Sequence, residues 1–168
     1  MNAGLLVIPI ILIRYGLLAI LSREALRRAA HFAPLEDNEK WAYWVNVNTS
    51  IGMMIFMFFI TVSEDTAWFY AGLALYVIGA VLYAVSVVNY ARPNGNGINT
   101  SGLYRVSRNP MYAAYFIYFL GCAVMTSSLI LLAYQISNHV IIKSEERWCA
   151  QKFGSEYGEY MKRVRRYI

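Results

Sequence analysis

From Ala67 to Tyr90 the chain runs through twenty-four residues without one charged side chain. Coiled as an α-helix, that run is about 36 Å long, enough to cross a bilayer hydrocarbon core of about 30 Å. It predicts a membrane helix, and Gly72 and Gly79 within it predict close approach of a neighbouring helix. The composition agrees: 58% of the 168 residues are hydrophobic and 15% are charged, against roughly 25% charged in soluble domains. The net charge of +5 then reads as lysine and arginine held in cytoplasmic loops, not as a nucleic-acid surface. Cys122 lies in an apolar run and Cys149 in a charged tail, which does not make a disulfide framework. No cluster of His, Cys and carboxylates has the spacing of a metal site.

The other apolar runs extend this to an all-α, polytopic integral membrane protein with five transmembrane helices, a single domain over 1–168. Gly4 to Leu21, apolar except for Arg14, predicts the first crossing; without a basic leading region or a small-residue cleavage site it does not read as a signal peptide. Ser22 to Lys40 is polar and reads as an interfacial amphipathic segment or a loop. Trp41 to Val62 predicts the second crossing, with Trp41, Tyr43 and Trp44 as an aromatic belt. "SEDT", Ser63 to Thr66, is an acidic turn before the third crossing, and Ala91 to Pro110 is a Gly/Asn-rich loop after it. Met111 to Ile142 is apolar but broken by "TSS" at Thr126 to Ser128. Each half holds about 15 residues, some 22 Å of helix, which predicts a helical hairpin as the last two crossings. From Lys143 the charged tail predicts a C-terminal helix in the cytoplasm. Apart from Arg14, every lysine and arginine falls in Ser22–Lys40, Ala91–Pro110 or the tail, so the N-terminus is expected outside.

A hairpin returns the chain to where it entered, so "RVSRNPMY" and "KSEERW" are expected to be neighbours at one membrane rim. Tyr104, Arg105, Arg108, Asn109, Tyr112, Glu145 and Glu146 would converge there, offering cations, anions and aromatic faces to a zwitterionic ligand with an aromatic ring. Plainer roles compete. Arg105 and Arg108 suit headgroup anchors, as does the run "KRVRR", Lys162 to Arg166. Tyr104 and Tyr112 suit a belt. Phe153, Tyr157 and Tyr160 recur at helical spacing and would pack the tail on the hairpin. Glu145 and Glu146 suit a solvated helix N-terminus, the expectation for Glu146 in particular. Arg14, costly at mid-membrane, is expected to face inward. Its partner there is either an anionic acceptor group or polar residues such as Asn46 and Asn48.

The combination "GLYRVSRNPMY" and "EERWCAQKFGSEYGEYMKRVRRYI" resembles the isoprenylcysteine carboxyl methyltransferases and their bacterial relatives, which include phospholipid N-methyltransferases. The resemblance covers about Asn89 to Ile168. It implies an S-adenosyl-L-methionine-dependent membrane methyltransferase of a bacterial or archaeal inner membrane, with the cofactor at the cytoplasmic rim and a lipophilic acceptor entering from the bilayer. It places Asn89, Asn96, Gly97, Ile98, Asn99, Tyr104, Asn109, Pro110, Met111, Tyr112 and Glu145 around the cofactor, with Arg108 as a brace. Asn109 and Asn96 stand where eukaryotic members carry histidines. Ile141 stands where the family has a substrate-contacting arginine, and His139 is the nearest polar residue.

Methyl transfer from a sulfonium is an in-line displacement, so positioning supplies much of the acceleration, roughly 7–11 kcal/mol at near-attack geometry. A carboxylate acceptor is already ionised. An amine acceptor must shed a proton, and His139 is the candidate base. Two other classes remain: an NADPH-dependent membrane reductase of the sterol reductase type, and a non-catalytic scaffold. "RNPMY" together with the glutamate pair favours the methyl donor. The acceptor stays open between a prenylcysteine carboxylate, a phospholipid amine and smaller lipophilic acids or amines.

Overall fold

Asn2 opens the fold: its side-chain oxygen accepts the Gly4 N–H at 2.8 Å and caps helix α1, Ala3–Leu21. The computed structural model describes residues 1–30, 40–64, 66–93, 97–136 and 138–167, with the side chains of 30, 42, 134–136 and 138–140 outside the description. α1 starts as a 3₁₀ turn over Ala3–Val7 and widens into a π-helical stretch over Leu12–Leu17, which carries Arg14. Ser22, extended at φ −164°, ends α1. Its hydroxyl accepts the Ala25 N–H at 3.1 Å and starts α2, Arg23–Ala30. Ala25, Leu26 and Ala29 of α2 pack on the core, while Arg23, Glu24 and Arg27 stay exposed.

The remaining helices are α3, Lys40–Met57; α4, Ala67–Ala91; α5, Pro110–Thr126; α6, Ile130–Ile136; and α7, Asn138–Arg163. Among the described residues there is no sheet, only isolated bridges pairing Asn2 with Thr61 and Ser107 with Arg165. α1 and α4 are long and apolar enough to cross a membrane, and α5 is a shorter apolar helix. The second crossing expected over Trp41–Val62 is helical only to Met57. Beyond it the chain pairs with the N-terminal segment, Ala3 N–H donating to the Ile60 carbonyl at 3.1 Å and Val62 N–H to that of Met1 at 2.9 Å.

α4 and α5 lie against each other along a glycine seam. A Cβ on Gly79 would overlap the Tyr118 backbone, and one on Gly121 would overlap the Tyr76 backbone. The seam is locked by Tyr76 and Tyr118, whose rings lie 4.5 Å apart. Both hydroxyls donate to the Leu6 carbonyl, tying α1 to the pair. Around them Val7, Ile10, Leu18, Tyr83, Val87 and Phe119 form the buried core.

Ser127, at φ 52°, ends α5, and the Ser128 N–H closes the turn on the Ala123 carbonyl at 3.0 Å. The chain then reverses through α6 into α7. No break falls at Lys143: α7 runs from Asn138 through it to Arg163, so the expected outer helix begins before the charged tail. The interruption comes instead at Gly154, whose φ of 56° and ψ of −130° fall where other residues are strained.

Contacts sort the connections into two groups. The Met1 ammonium pairs with Glu64 at 2.6 Å, and Ser63 N–H donates to the Met125 carbonyl at 3.0 Å, so N-terminus, acidic turn and the end of α5 meet. α4 then carries the chain about 37 Å away, to the loop and α7 that build the candidate site.

Candidate functional site

The loop after α4 is shaped by Asn89. Its side-chain oxygen accepts the Leu103 N–H at 2.9 Å, against the 3₁₀ turn Gly102–Arg105. Gly102 has φ 58°, and any Cβ there would overlap the Asn89 amide. The turn buries Tyr104, whose carbonyl accepts from the Tyr160 hydroxyl at 2.6 Å. Burial pushes the Tyr104 phenol well above its ordinary range, helped by Tyr90, Tyr160 and Glu145 nearby. Arg105 remains exposed and does not join the cluster. Ile98 is buried with Tyr157 and Tyr160, and Phe153 packs on them. Among the described residues these tail aromatics thus pack with Ile98 of the loop.

Glu146 is the anchor of the motif. It is 5% exposed and takes hydrogen bonds from Arg108 Nε at 3.2 Å, Asn109 Nδ2 at 2.8 Å and Arg166 Nη2 at 2.8 Å. Arg108 also donates to the Met161 carbonyl at 2.9 Å. Burial alone would raise the Glu146 carboxyl, but the bonds from Arg166 and Asn109 and the two guanidinium charges hold it below its ordinary range. The expectation of a solvated Glu146 is therefore overturned, since α7 begins at Asn138 and puts this residue mid-helix against the loop. Arg166 is likewise drawn from the predicted headgroup patch into the clamp. The C-terminal segment follows it: Arg108 N–H donates to the Arg165 carbonyl at 2.9 Å and Ser107 Oγ to the Arg166 carbonyl at 3.2 Å. Asn109 precedes Pro110, the first residue of α5, yet its side chain does not cap that helix because Glu146 and the Arg166 carbonyl engage it.

Glu145, one residue earlier, has a different environment. Its Oε1 accepts the Tyr112 hydroxyl at 2.7 Å. Burial raises its carboxyl above the ordinary range, against the Tyr112 bond and the positive charge of Arg14. A carboxylate has about four acceptor positions, so with this one donor from the described side chains Glu145 keeps capacity for a ligand. Arg14 does face inward, but it reaches Tyr83 of α4, donating to its hydroxyl at 3.3 Å, and not Asn46 or Asn48. Pro110 is buried and Met111 packs on the core, next to the loop. Gly97 is exposed, and the buried Oδ1 of Asn99 has no partner among the described residues; nor has the buried Oγ of Ser144, beside Glu145. Asn96 and the side chain of His139 lie outside the described residues, and Ile141 is buried. Sequence reasoning missed Arg166, Ser107 and Tyr83. The basic chain end pointed weakly to the first, and no pattern marked the other two.

The class these features define is an all-α protein with membrane-length helices and a polar, aromatic-lined site at one end of them. The chain belongs to the phospholipid methyltransferase family, whose sequence model matches residues 50–156. It is 31% identical over 115 residues to probable protein-S-isoprenylcysteine O-methyltransferases of Oryza sativa subsp. indica and subsp. japonica, covering 58% of this chain and 60% of theirs. It is 32% identical over 98 residues to the cobalt-zinc-cadmium resistance protein CzcN of Cupriavidus metallidurans, covering 55% of this chain and 44% of that protein. The chain thus spans less than two thirds of the length of these relatives. No solved structure matches it.

Proposed function

We propose that the protein is an S-adenosyl-L-methionine-dependent methyltransferase acting on a lipophilic acceptor embedded in the membrane. The observation that carries this reading is the pairing of Tyr112 with Glu145 beside the Arg108–Glu146–Arg166 clamp, which joins the two halves of the family motif. When bound, the cofactor supplies an electrophilic methyl group on a sulfonium. The residues present fit such a ligand: Glu145 offers acceptor positions for hydroxyl or ammonium groups, the half-buried Tyr112 offers aromatic surface with Tyr104 buried in the loop turn, and the buried Asn99 Oδ1 and Ser144 Oγ have no partner among the described residues. Asn89, Gly97, Ile98, Pro110 and Met111 would shape its walls, with Asn96 on the same loop. The clamp fixes the loop.

On this reading the chain makes five crossings with the N-terminus outside, and the site would lie at the cytoplasmic rim of an inner membrane; the acidic turn gathered with the N-terminus supports that orientation. The acceptor is a prenylcysteine-like carboxylate, as the names of the rice relatives point to, or a phospholipid amine, as the family's name does. For an amine, His139 would take the proton.

The test is calorimetric titration of the purified protein with S-adenosylhomocysteine and with NADPH, followed by transfer of labelled methyl to total lipid extract and to N-acetyl-S-farnesylcysteine. We expect S-adenosylhomocysteine to bind and label to appear in lipid, base-labile for an ester and stable for an amine. Binding of NADPH alone would assign a reductase instead.

A further inference from the structure

We propose that Arg28, on the amphipathic helix α2, is an anion site that takes the carboxylate or phosphate group of an amphiphile beside Tyr90, at the end of α4 that leads into the candidate site. It rests on the proposed function for the nature of the amphiphile, but Arg28 and Arg14 lie outside the family match, which begins at residue 50.

Arg28 is half-buried and flanks the packed face of α2, three residues after buried Ala25. Its guanidinium carbon sits 5.2 Å from the centroid of the Tyr90 ring, and Nη2 donates to the Tyr90 carbonyl at 3.3 Å. Its Nε is buried and has no hydrogen-bond partner among the described residues. A guanidinium presents five donors in a fixed fork suited to carboxylate and phosphate. An Nε sealed from solvent and unpaired is a donor awaiting an acceptor.

The placement of Arg28 repeats along α4. Tyr83 and Tyr90 are seven residues apart, two helical turns, and so share one face. Arg14 reaches the first and Arg28 the second. Glu145 lies within electrostatic reach of both Arg14 and Tyr90. Among the described residues, two guanidiniums and one carboxylate thus lie within electrostatic reach of Tyr90, an excess of positive charge there. An anion relieves it; a cationic headgroup adds to it. Ser22 makes the arrangement possible by ending α1 and restarting the chain as α2, which swings Arg28 back over the end of α4.

The experiment uses the full chain in nanodiscs, with binding as the readout. The probes are N-acetyl-S-farnesylcysteine, its neutral carboxamide, inorganic phosphate, and discs of phosphatidylglycerol or phosphatidylcholine. The wild type should bind the acid at least about tenfold more tightly than the carboxamide, a charge-assisted fork contact being worth that much. In Arg28→Gln the two should bind within about twofold, and Arg28→Lys, which keeps charge without the fork, should fall between. Both variants should still unfold cooperatively, with a lowered midpoint for Arg28→Gln from the lost Tyr90 contacts, and S-adenosylhomocysteine affinity should not change. Competition for the acid by phosphatidylglycerol but not phosphatidylcholine would identify a lipid phosphate as the natural occupant. An acid preference that survives Arg28→Gln, an equal loss of S-adenosylhomocysteine binding, or competition by inorganic phosphate with no preference for the amphiphile would overturn the site. Failure of wild-type protein to bind S-adenosylhomocysteine would instead sink the methyltransferase reading, and the acid-to-amide ratio would still decide this one.

Discussion

Successive residues on a helix point about 100° apart, and on α7 that angle gives Glu145 and Glu146 opposite titration behaviour. Glu146 faces two guanidiniums and Asn109, and its folded pKa lies below its unfolded one. Its contribution to stability is therefore present above the unfolded carboxyl value of about 4.3 and lost as pH falls through the folded value. Glu145 has its pKa raised, chiefly by burial, so it gains its proton first on acidification. We expect S-adenosylhomocysteine affinity to fall with pH before the unfolding temperature does, and calorimetry beside thermal unfolding across the acid range measures both. A single coincident transition would contradict the assignment of separate roles. Glu145→Gln should weaken binding by about tenfold, the loss of one charge-assisted hydrogen bond, and flatten its pH profile. Glu146→Gln should destabilise the protein by roughly 3–5 kcal/mol, because Arg108 is left half-sealed without its counter-charge. The sequence distinguishes these neighbours poorly. A glutamate pair reads alike at both positions, and the phase of α7 depends on its start at Asn138, inside a run whose apolar character predicts a different boundary.

At the scale of elements, the α4–α5 seam was partly legible. Gly72 and Gly79 stand out in an unbroken apolar run and their seven-residue spacing places them on one face. Gly121 lies in a shorter run, and its role needs the partner's register, which only the packed pair supplies. A methyl at Gly121 meets the Tyr76 backbone, which has no side-chain rotamer to yield. Gly121→Ala should therefore cost about 1–3 kcal/mol, the range for overpacking a filled interior. Gly158→Ala on α7 meets nothing within 4 Å and serves as the matched control. Thermal unfolding in detergent should separate the two, and equal midpoints would remove the seam from the account of stability. The C-terminal segment was illegible for a different reason. "KRVRR" has the composition of a headgroup patch, and nothing local reveals that Arg166 folds back onto Glu146 across twenty residues of chain. Deleting the residues after Val164 removes that guanidinium and the carbonyls that Ser107, Arg108 and Asn109 use. The truncated protein should lose S-adenosylhomocysteine binding together with stability.

The whole molecule has a polarity that its charges announce. The acidic turn and N-terminus meet at one end, Met1 on Glu64. The arginines that hold the motif, Arg108 and Arg166, meet at the other, where Arg28 also lies beside Tyr90. Lysine and arginine resist transfer and stay on the cytoplasmic side, so the first end should face out and the second in. The argument has a direct check. With Cys122 and Cys149 replaced, single cysteines at Glu64 and at Arg105, both exposed, can be probed with a membrane-impermeant maleimide in intact cells and after permeabilisation. Glu64→Cys should label in intact cells and Arg105→Cys only once the membrane is opened. The reverse pattern would put the site on the outer face, away from a cytoplasmic methyl donor. Labelling of both in intact cells would mean that α4, despite its length, does not separate two compartments, and the membrane rim on which the site is argued would be gone.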